Sequence, residues 1–521
     1  MQASAVLDSP LQRGLITASI MLATIMQVVD MTIVNVALPH MQGAMSASQD
    51  QISWVLTSYI VAAAIATPLT GVLAARYGRK HILTLSMITF TLASMLCGSA
   101  TSLEQMVIYR LLQGAAGAAL VPLSQAVLLD TYPREKHGSA MALWGMGVMI
   151  GPILGPTIGG YLTEYYSWRW AFYINLPVGI LAVLGTTAFL TETARDRSRR
   201  FDFFGFALLS LAIGGLQLAL DRGESLDWFS SQTIVITLVI AGVAFYLFLV
   251  HMFTADKTFI EPGLFKDRNF STGLFLMLMM GVMLFSTLAL MPPFLQNLLG
   301  FPVITAGIVL APRGIGTMVA MNIVGRLIGR VDTRWLLLLG FALMSVSLWD
   351  MARFNLDVGI WPVVYTGVIQ GVGLGFLFVP LSAVSFSTLE PRYRNEGTAM
   401  FSLVRNIGSS IGISVVITVL GDQTQTSHAE IGGSLSTFRR ALDPTVVPQI
   451  WDWTTSTGAA ALNGEVTRQA LMIAYLNDFR LMMFLTLAAV PLLLLLKAPA
   501  RGLPKVAQCL PVPFAVAGPG L

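Results

Sequence analysis

Long apolar runs alternate with short polar connections along most of the chain. Fourteen stretches carry almost no charge, near residues 14–38, 52–74, 82–101, 105–129, 138–162, 169–190, 204–221, 232–253, 270–292, 303–325, 334–353, 359–386, 397–420 and 479–497. As helices rising ~1.5 Å per residue, they are long enough to cross ~30 Å of hydrocarbon. The stretch at 204–221 is short, so twelve or thirteen crossings stay open beside the preferred fourteen. Ten-residue segments of alternating apolar and polar residues, which would mark a membrane barrel, are absent. The pattern predicts an all-α integral membrane protein. The first stretch is too long for a cleaved signal and carries Asp30, so it reads as a retained helix.

Composition sharpens this reading. The chain has 521 residues, 55% of them hydrophobic and 11% charged, whereas a soluble domain carries roughly 25% charge. Two cysteines cannot build a disulfide framework or a zinc site. None of the lysines follows a glycine, which excludes a phosphate-binding loop of the Walker type. A net charge of +4 is too small and too dispersed for nucleic-acid binding. A secreted module, a soluble enzyme and a self-contained ATP-driven pump are all excluded.

The basic residues set orientation. With both termini in the cytoplasm, the cytoplasmic loops hold Arg76, Arg79 and Lys80; Arg134 and Lys136; Arg195, Arg197, Arg199 and Arg200; Lys257, Lys266 and Arg268; Arg326, Arg330 and Arg334; and Arg392 and Arg394. The opposite face has seven, Arg169, Arg222, Arg353, Arg439, Arg440, Arg468 and Arg480, the last four of them in or just after one long segment, 421–478. Within that segment, residues from Ala459 to Asn477 read as a helix that extends the last span outward. The charged connection at 191–203 reads as a basic, lipid-facing loop.

An internal repeat organises the spans. Gly71-Val-Leu-Ala-Ala-Arg76 follows the second span and Gly325-Arg-Leu-Ile-Gly-Arg330 follows the tenth. Gly71 matches Gly325, Leu73 matches Leu327, and Arg76 matches Arg330. A shift of eight spans implies six spans, two inserted spans and six more. The expected domains are a cytoplasmic tail (1–13), an N-terminal six-helix bundle (14–190), two inserted helices with linkers (191–269), a C-terminal six-helix bundle (270–497) that includes the long 421–478 segment, and a cytoplasmic tail (498–521). Paired repeats around a midplane site are the usual build of secondary transporters.

Two sets of residues carry candidate chemistry. The fifth span holds Gly147, Gly151, Gly155, Pro156, Gly159 and Gly160. Glycines at this spacing lie along one helix face and allow a neighbouring helix to approach closely. Pro156 permits a bend. A tight, bendable seam between bundles is expected there. The second set is charged. Asp30 reads as the only carboxylate deep in a span, with Arg110 at similar depth on the fourth span. An ionisable group there costs at least ~2.5–3.5 kcal/mol, which points to function. Arg313 and Arg405 are the buried charges of the second half, each either capped by carbonyls or facing a wet cavity. Among the membrane amides, Asn35 and Gln113 are the candidates for a substrate cavity together with Arg313 and Arg405. Gln27, Gln125, Asn322 and Gln370 read as interhelical contacts. The histidines lie at span ends or in loops.

These motifs resemble those of the major facilitator superfamily. The glycine series resembles its antiporter signature. Gly71, Arg76, Gly78 and Arg79 resemble its loop motif after helix 2, and Arg110-Leu-Leu-Gln-Gly114 resembles its helix 4 motif. Asp30-Met-Thr-Ile-Val-Asn-Val-Ala-Leu-Pro39 is similar to the helix 1 motif of fourteen-span drug:proton antiporters. Leu220–Ser231 and the long segment before the last span resemble EmrB-type multidrug exporters of Gram-negative bacteria. The resemblance covers about residues 14–497. It implies a major facilitator fold with helices 1 and 4 lining a central cavity. It also implies a proton-coupled antiporter using Asp30 and Arg110, with the proton gradient as energy source and no cofactor. The implied setting is a bacterial inner membrane, with an EmrA-type membrane-fusion adaptor and a TolC-like outer-membrane channel as partners. An exporter of one physiological solute, such as a siderophore, fatty acid or antibiotic intermediate, would carry identical motifs. A sensor or a channel fits the intact antiporter motif poorly. One departure stands out. Ala75 occupies the place of the usual loop aspartate, so the outward-facing state is either held less firmly or held by another pair.

Overall fold

A computed structural model of the chain describes residues 10–133, 136–192, 201–255, 258–435, 451 and 455–496. The C-terminal tail, most of the N-terminal tail and the basic loop at 193–200 lie outside the described residues. The described residues form sixteen α-helices: α1 (Pro10–Ala44), α2 (Gln49–Tyr77), α3 (Arg79–Ser99), α4 (Leu103–Gly117), α5 (Leu120–Thr131), α6 (His137–Tyr165), α7 (Trp170–Tyr173), α8 (Asn175–Phe189), α9 (Phe203–Arg222), α10 (Gln232–Thr254), α11 (Arg268–Pro293), α12 (Val303–Leu327), α13 (Thr333–Met351), α14 (Ile360–Ser387), α15 (Arg394–Ser434) and α16 (Ser456–Ala489). α5 continues α4 and α8 continues α7. Thirteen of the resulting runs have the length and hydropathy to cross a membrane. The remaining one is α6, the glycine-rich helix, 29 residues long.

Helix ends follow local chemistry. Ser48 and Gln51 form a reciprocal capping box at the start of α2. Gly78 adopts φ +98°, a conformation that favours glycine, and so permits the sharp turn from α2 into α3. Asp202 and Asp267 accept from the backbone N–H of Gly205 and Phe270 and start α9 and α11.

In the segment 421–478 the described residues are mostly helical, as expected for Ala459 to Asn477 and against the loop expected for 421–434. α15 continues to Ser434 and α16 begins at Ser456. At 41 residues, α15 is about 60 Å long, far more than the bilayer core needs. Hydropathy falls after residue 420, yet the helix persists because the two polar extensions bond each other. Asn477 donates to Gln423 at 3.0 Å, and His428 pairs with Asn463 at 3.0 Å.

Helices α1–α8 pack into one bundle and α11–α16 into another. The repeat is visible in the packing. Gly114 lies where a Cβ would come within 3.0 Å of the Tyr59 carbonyl carbon, and Gly371 where it would come within 2.9 Å of that of Arg313. Gly71 backs onto Asn395 and Glu396 of α15, while Gly325 backs onto Ala142 of α6. Each repeat glycine therefore packs across the divide between bundles, at the end carrying the basic loops. The Ser139 hydroxyl donates to the Gly325 carbonyl at 3.3 Å there, and Trp144 stacks on Phe378 at 5.6 Å further along the same interface. The bundles are closed against each other at this basic end.

Of the inserted pair, α9 and the connection after it straddle the divide on one side, and α10 packs on α9. Towards the N-terminal bundle, Asp221 accepts from Thr57 and Arg222 donates to Ser53 at 3.1 Å. Towards the C-terminal bundle, Gln217 donates to Ser410 at 2.6 Å and Trp228 to Thr418 at 2.9 Å.

The glycine face of α6 requires a correction. It does not lie between bundles but packs on α1, inside the N-terminal bundle. A Cβ on Gly151 would stand 2.8 Å from the Val28 carbonyl carbon, one on Gly155 2.5 Å from the Thr32 Cβ, and one on Gly159 3.3 Å from the Ile33 Cα. Gly147 faces Met21, while Gly160 meets nothing within 4 Å. The Thr32 hydroxyl donates to the Gly151 carbonyl at 3.1 Å. A different part of α6, at Gly138 and Gly145, faces the C-terminal bundle through Ile328, Met321 and Phe378.

Candidate proton-binding site and inter-bundle latch

Asp30 sits two-thirds along α1, fully buried, within the N-terminal bundle. Arg110 donates to Asp30 Oδ2 at 2.8 Å; Gln113 and Asn175 donate to Oδ1 at 2.9 and 2.8 Å. Three donors and no acceptor meet the carboxylate, which suits an ionised acid, since that form only accepts. Burying the pair is tolerable because the remaining valences are also met. Arg110 bonds Gln113 Oε1 at 2.7 Å and the Val55 carbonyl at 3.2 Å, and its guanidinium lies 4.2 Å from the Tyr59 ring centroid. Asn175 also donates to Ser94 at 2.9 Å, and Ser94 donates to the Phe172 carbonyl at 2.9 Å. The carboxylate of α1 therefore ties together α2, α3, α4 and the α7–α8 run. Oδ1 already accepts from both Gln113 and Asn175, so a proton placed there displaces one of the two donors.

The structure brings Asp30, Arg110 and Gln113 together but not on a cavity wall. Arg110 and Gln113 are as buried as Asp30. Asn35, one turn further along α1, is exposed. Arg313 is buried in α12 and its Nη2 has no partner. Arg405 is half-buried in α15, donates to the neighbouring Asn406 at 3.4 Å, and has no partner at Nε. Neither arginine forms an ion pair with a carboxylate among the described residues.

At the basic end, Arg79 donates to Asp130 Oδ2 at 2.5 Å and to the Ala126 carbonyl at 3.1 Å. The other oxygen, Oδ1, pairs with Arg394 at the start of α15. Asp130 thus joins the loop-motif arginine of one bundle to the first residue of a helix in the other. The pair crosses the divide at the end where Ala75 stands in the place of the expected loop aspartate. Arg76 stacks 5.6 Å from the centroid of Tyr77.

Sequence reasoning missed four residues here. Asn175 and Ser94 are small polar groups in apolar spans, a weak signal. Asp130 follows an apolar span directly and sits opposite an arginine-rich loop, which was a usable signal. Asp478 corrects the reading of Asp30 as the only deep carboxylate. It is fully buried within α16, and hydropathy, which drops across Asn477-Asp478, places it in the connecting segment instead.

Residues 20–413 match the profile of the Major Facilitator Superfamily. The chain is 38% identical to the multidrug export protein EmrB of Escherichia coli K12 over 430 residues, covering 82% of this chain and 84% of that protein. It is 33% identical to the fatty acid resistance protein FarB of Neisseria gonorrhoeae over 488 residues, covering 93% and 96%. The human organic anion transporter MFSD10 (TETRAN) shares the fold, with a TM-score of 0.58, 15% identity and coverage of 92% of this chain and all of that one. The chain belongs to the major facilitator superfamily and, within it, to the family of EmrB-type multidrug export proteins.

Proposed function

We propose that the protein is a proton-coupled antiporter that exports hydrophobic or amphiphilic compounds across a bacterial inner membrane. Both termini face the cytoplasm. The observation that carries this reading is the buried Asp30, held by donors from two neighbouring helices. With the basic end closed, three donors and no acceptor surround Asp30, the arrangement an ionised carboxylate needs, and in this reading the proton that displaces one of them comes from the outer side. Proton arrival breaks its contact with Gln113 or Asn175, loosens α1 from α4 or α8, and favours reopening towards the cytoplasm. Release of the proton inside restores the three bonds. Asp30 and Arg110 are the coupling pair. Arg405 and Arg313, with Asn35, bias the substrate site. An EmrA-type adaptor and a TolC-like channel would complete a tripartite pump, docking on the polar extensions of α15 and α16.

A second reading is a dedicated exporter of one physiological solute. The match to FarB, named for fatty acid resistance, favours it, as do two arginines without carboxylate partners. One experiment separates the readings. The purified protein is reconstituted with a pH-sensitive dye and challenged with a panel of lipophilic drugs, fatty acids and siderophores. Proton movement with many unrelated drugs supports the first reading. Movement with one acid alone supports the second. No proton movement with any compound removes proton coupling.

A further inference from the structure

Asp478 lies on α16, the last long helix of the C-terminal bundle, and is 0% exposed. Neither of its carboxylate oxygens has a hydrogen-bond partner. Its helix face carries Tyr475 and Met482, one turn either side, and Phe479 follows it directly. All three belong to an apolar cluster with Phe294, Leu348 and Val416 from three other helical segments. Phe294 packs at 5.1 Å from Tyr475 and 6.0 Å from Phe479, centroid to centroid. Phe294 opens the π-helical turn Phe294–Leu298 that ends α11 after Pro292 and Pro293.

No charged or polar group among the described residues bonds the carboxylate. On its own helix the titratable neighbour is Tyr475, and Arg480 is exposed and bonds Asn477. The only charged side chain of α11 is Arg268, at its far end. On α12, Arg313 packs against Gly367 instead. On α13, Asp350 is half-buried and Arg334, at the basic end, bonds the Leu496 carbonyl. Arg353, just beyond that helix, lies over Trp349. α14 offers only Tyr365, which is exposed. On α15, Arg405 bonds Asn406, Gln423 accepts from Asn477 and Asp422 is exposed.

The repeat gives the position meaning. Gln370 precedes Gly371 as Gln113 precedes Gly114, and both glycines press on the backbone of an equivalent helix. In the N-terminal bundle the last span supplies Asn175, a donor to Asp30. In the C-terminal bundle the last span supplies the acid itself, and no arginine accompanies it. Gln370 reaches only Thr287, at 3.3 Å, and its Oε1 has no partner.

We propose that Asp478 is a second proton-binding site, which holds its proton as a neutral acid in the same conformation in which Asp30 is ionised. A carboxylate without donors in an apolar cage is costly when charged, and protonation removes that cost. Bound metal cations do not fit, because they require several oxygen ligands and the cage supplies the carboxylate alone. The site exchanges its proton when the outer half of the C-terminal bundle admits water: the O–H bond breaks, the proton passes to water, and the electron pair stays on the carboxylate. A transport role for this exchange rests on the proton-coupled reading above, but the protonation itself does not.

The test is infrared difference spectroscopy on the full-length protein in lipid, comparing wild type, Asp478→Asn and Asp30→Asn at neutral pH. Wild type and Asp30→Asn should show the C=O stretching band of a protonated carboxyl group, shifted in D2O, and Asp478→Asn should lose it. An unchanged band in Asp478→Asn, or no such band in wild type, overturns the proposal. Because the readout needs no transport, a failure of proton–drug exchange would leave the band in place. Thermal stability is a second, independent readout. Asp478→Leu should melt no lower than wild type, since a neutral acid in that cage contributes only packing. A clear drop in melting temperature for Asp478→Leu would mean that the carboxylate has a partner, and would also overturn the proposal.

Discussion

Replacing Asp130 with Asn should weaken closure at the basic end while leaving both bundles folded. Asp130 is the joint between Arg79 and Arg394, and the bond to Arg394 crosses the divide. Hydrogen bonds to charged groups contribute ~1.5–3 kcal/mol each. The Asp130 side chain is 31% exposed, so solvent screening reduces the cross-bundle bond to about 1–2 kcal/mol. At ~1.4 kcal/mol per factor of ten, the ratio of closed to open states should fall roughly 5–30-fold. Arg394→Gln should do the same. The double variant should add little to either single change, because the two residues share one interaction. Spin labels at Tyr77 and Trp335, both exposed near the basic end on opposite bundles, would report the change by electron double resonance. A longer distance should appear or grow in Asp130→Asn. Identical distance distributions in wild type and variant, at equal melting temperature, would refute the latch.

Three other outcomes follow from the same structure. Gly155→Leu should block transport, because α6 would be pushed off α1 where a Cβ already meets Thr32; overpacking of this kind costs ~1–3 kcal/mol, and wild-type transport rates in reconstituted vesicles would contradict it. Replacing the polar extensions around residues 421–478 with a Gly/Ser connection should lower the resistance of intact cells but spare transport in vesicles lacking an adaptor; loss of both would mean that the extensions gate the cavity. The unpaired positive charges of Arg313 and Arg405 should favour lipophilic weak acids over dicationic amines; removing one charge ~8 Å away at an effective dielectric of ~20 is worth roughly 2 kcal/mol, so Arg405→Gln should narrow the ratio of weak-acid to dication efflux about tenfold or more, and an unchanged ratio would place Arg405 outside the substrate path.

The membrane fold was legible because hydrophobic span length and basic-loop asymmetry are strong signals that survive without tertiary detail. The repeat was legible through Gly71 and Gly325, since both must allow close approach at equivalent places. Asp30 and Arg110 were legible as rare intramembrane charges at similar depth, which left a direct or a water-bridged pair open, and the structure shows the direct bond. Other features depended on which helix faces which. The glycine face of α6 could be read as small, but only packing revealed its partner to be α1. The extension of α16 was legible as a helix, but that of α15 reads as a loop because hydropathy reports membrane burial, not helicity, and the hydrogen bonds between the two extensions are long-range. Asp478 escaped for the same reason: a span boundary drawn from hydropathy ended one residue short of it. Asp130 became meaningful only when Arg79 and Arg394, 315 positions apart in sequence, met at one carboxylate.

The central claim is that Asp30 couples protons to substrate. It is tested most directly by imposing a pH gradient on proteoliposomes and following accumulation of a fluorescent drug. Wild type should accumulate the drug against its concentration gradient, and collapse of the pH gradient by an ionophore should stop it. Asp30→Asn should bind the drug and exchange it down its gradient, yet fail to accumulate it at any imposed pH difference. Gradient-driven accumulation by Asp30→Asn at the wild-type rate would contradict the account.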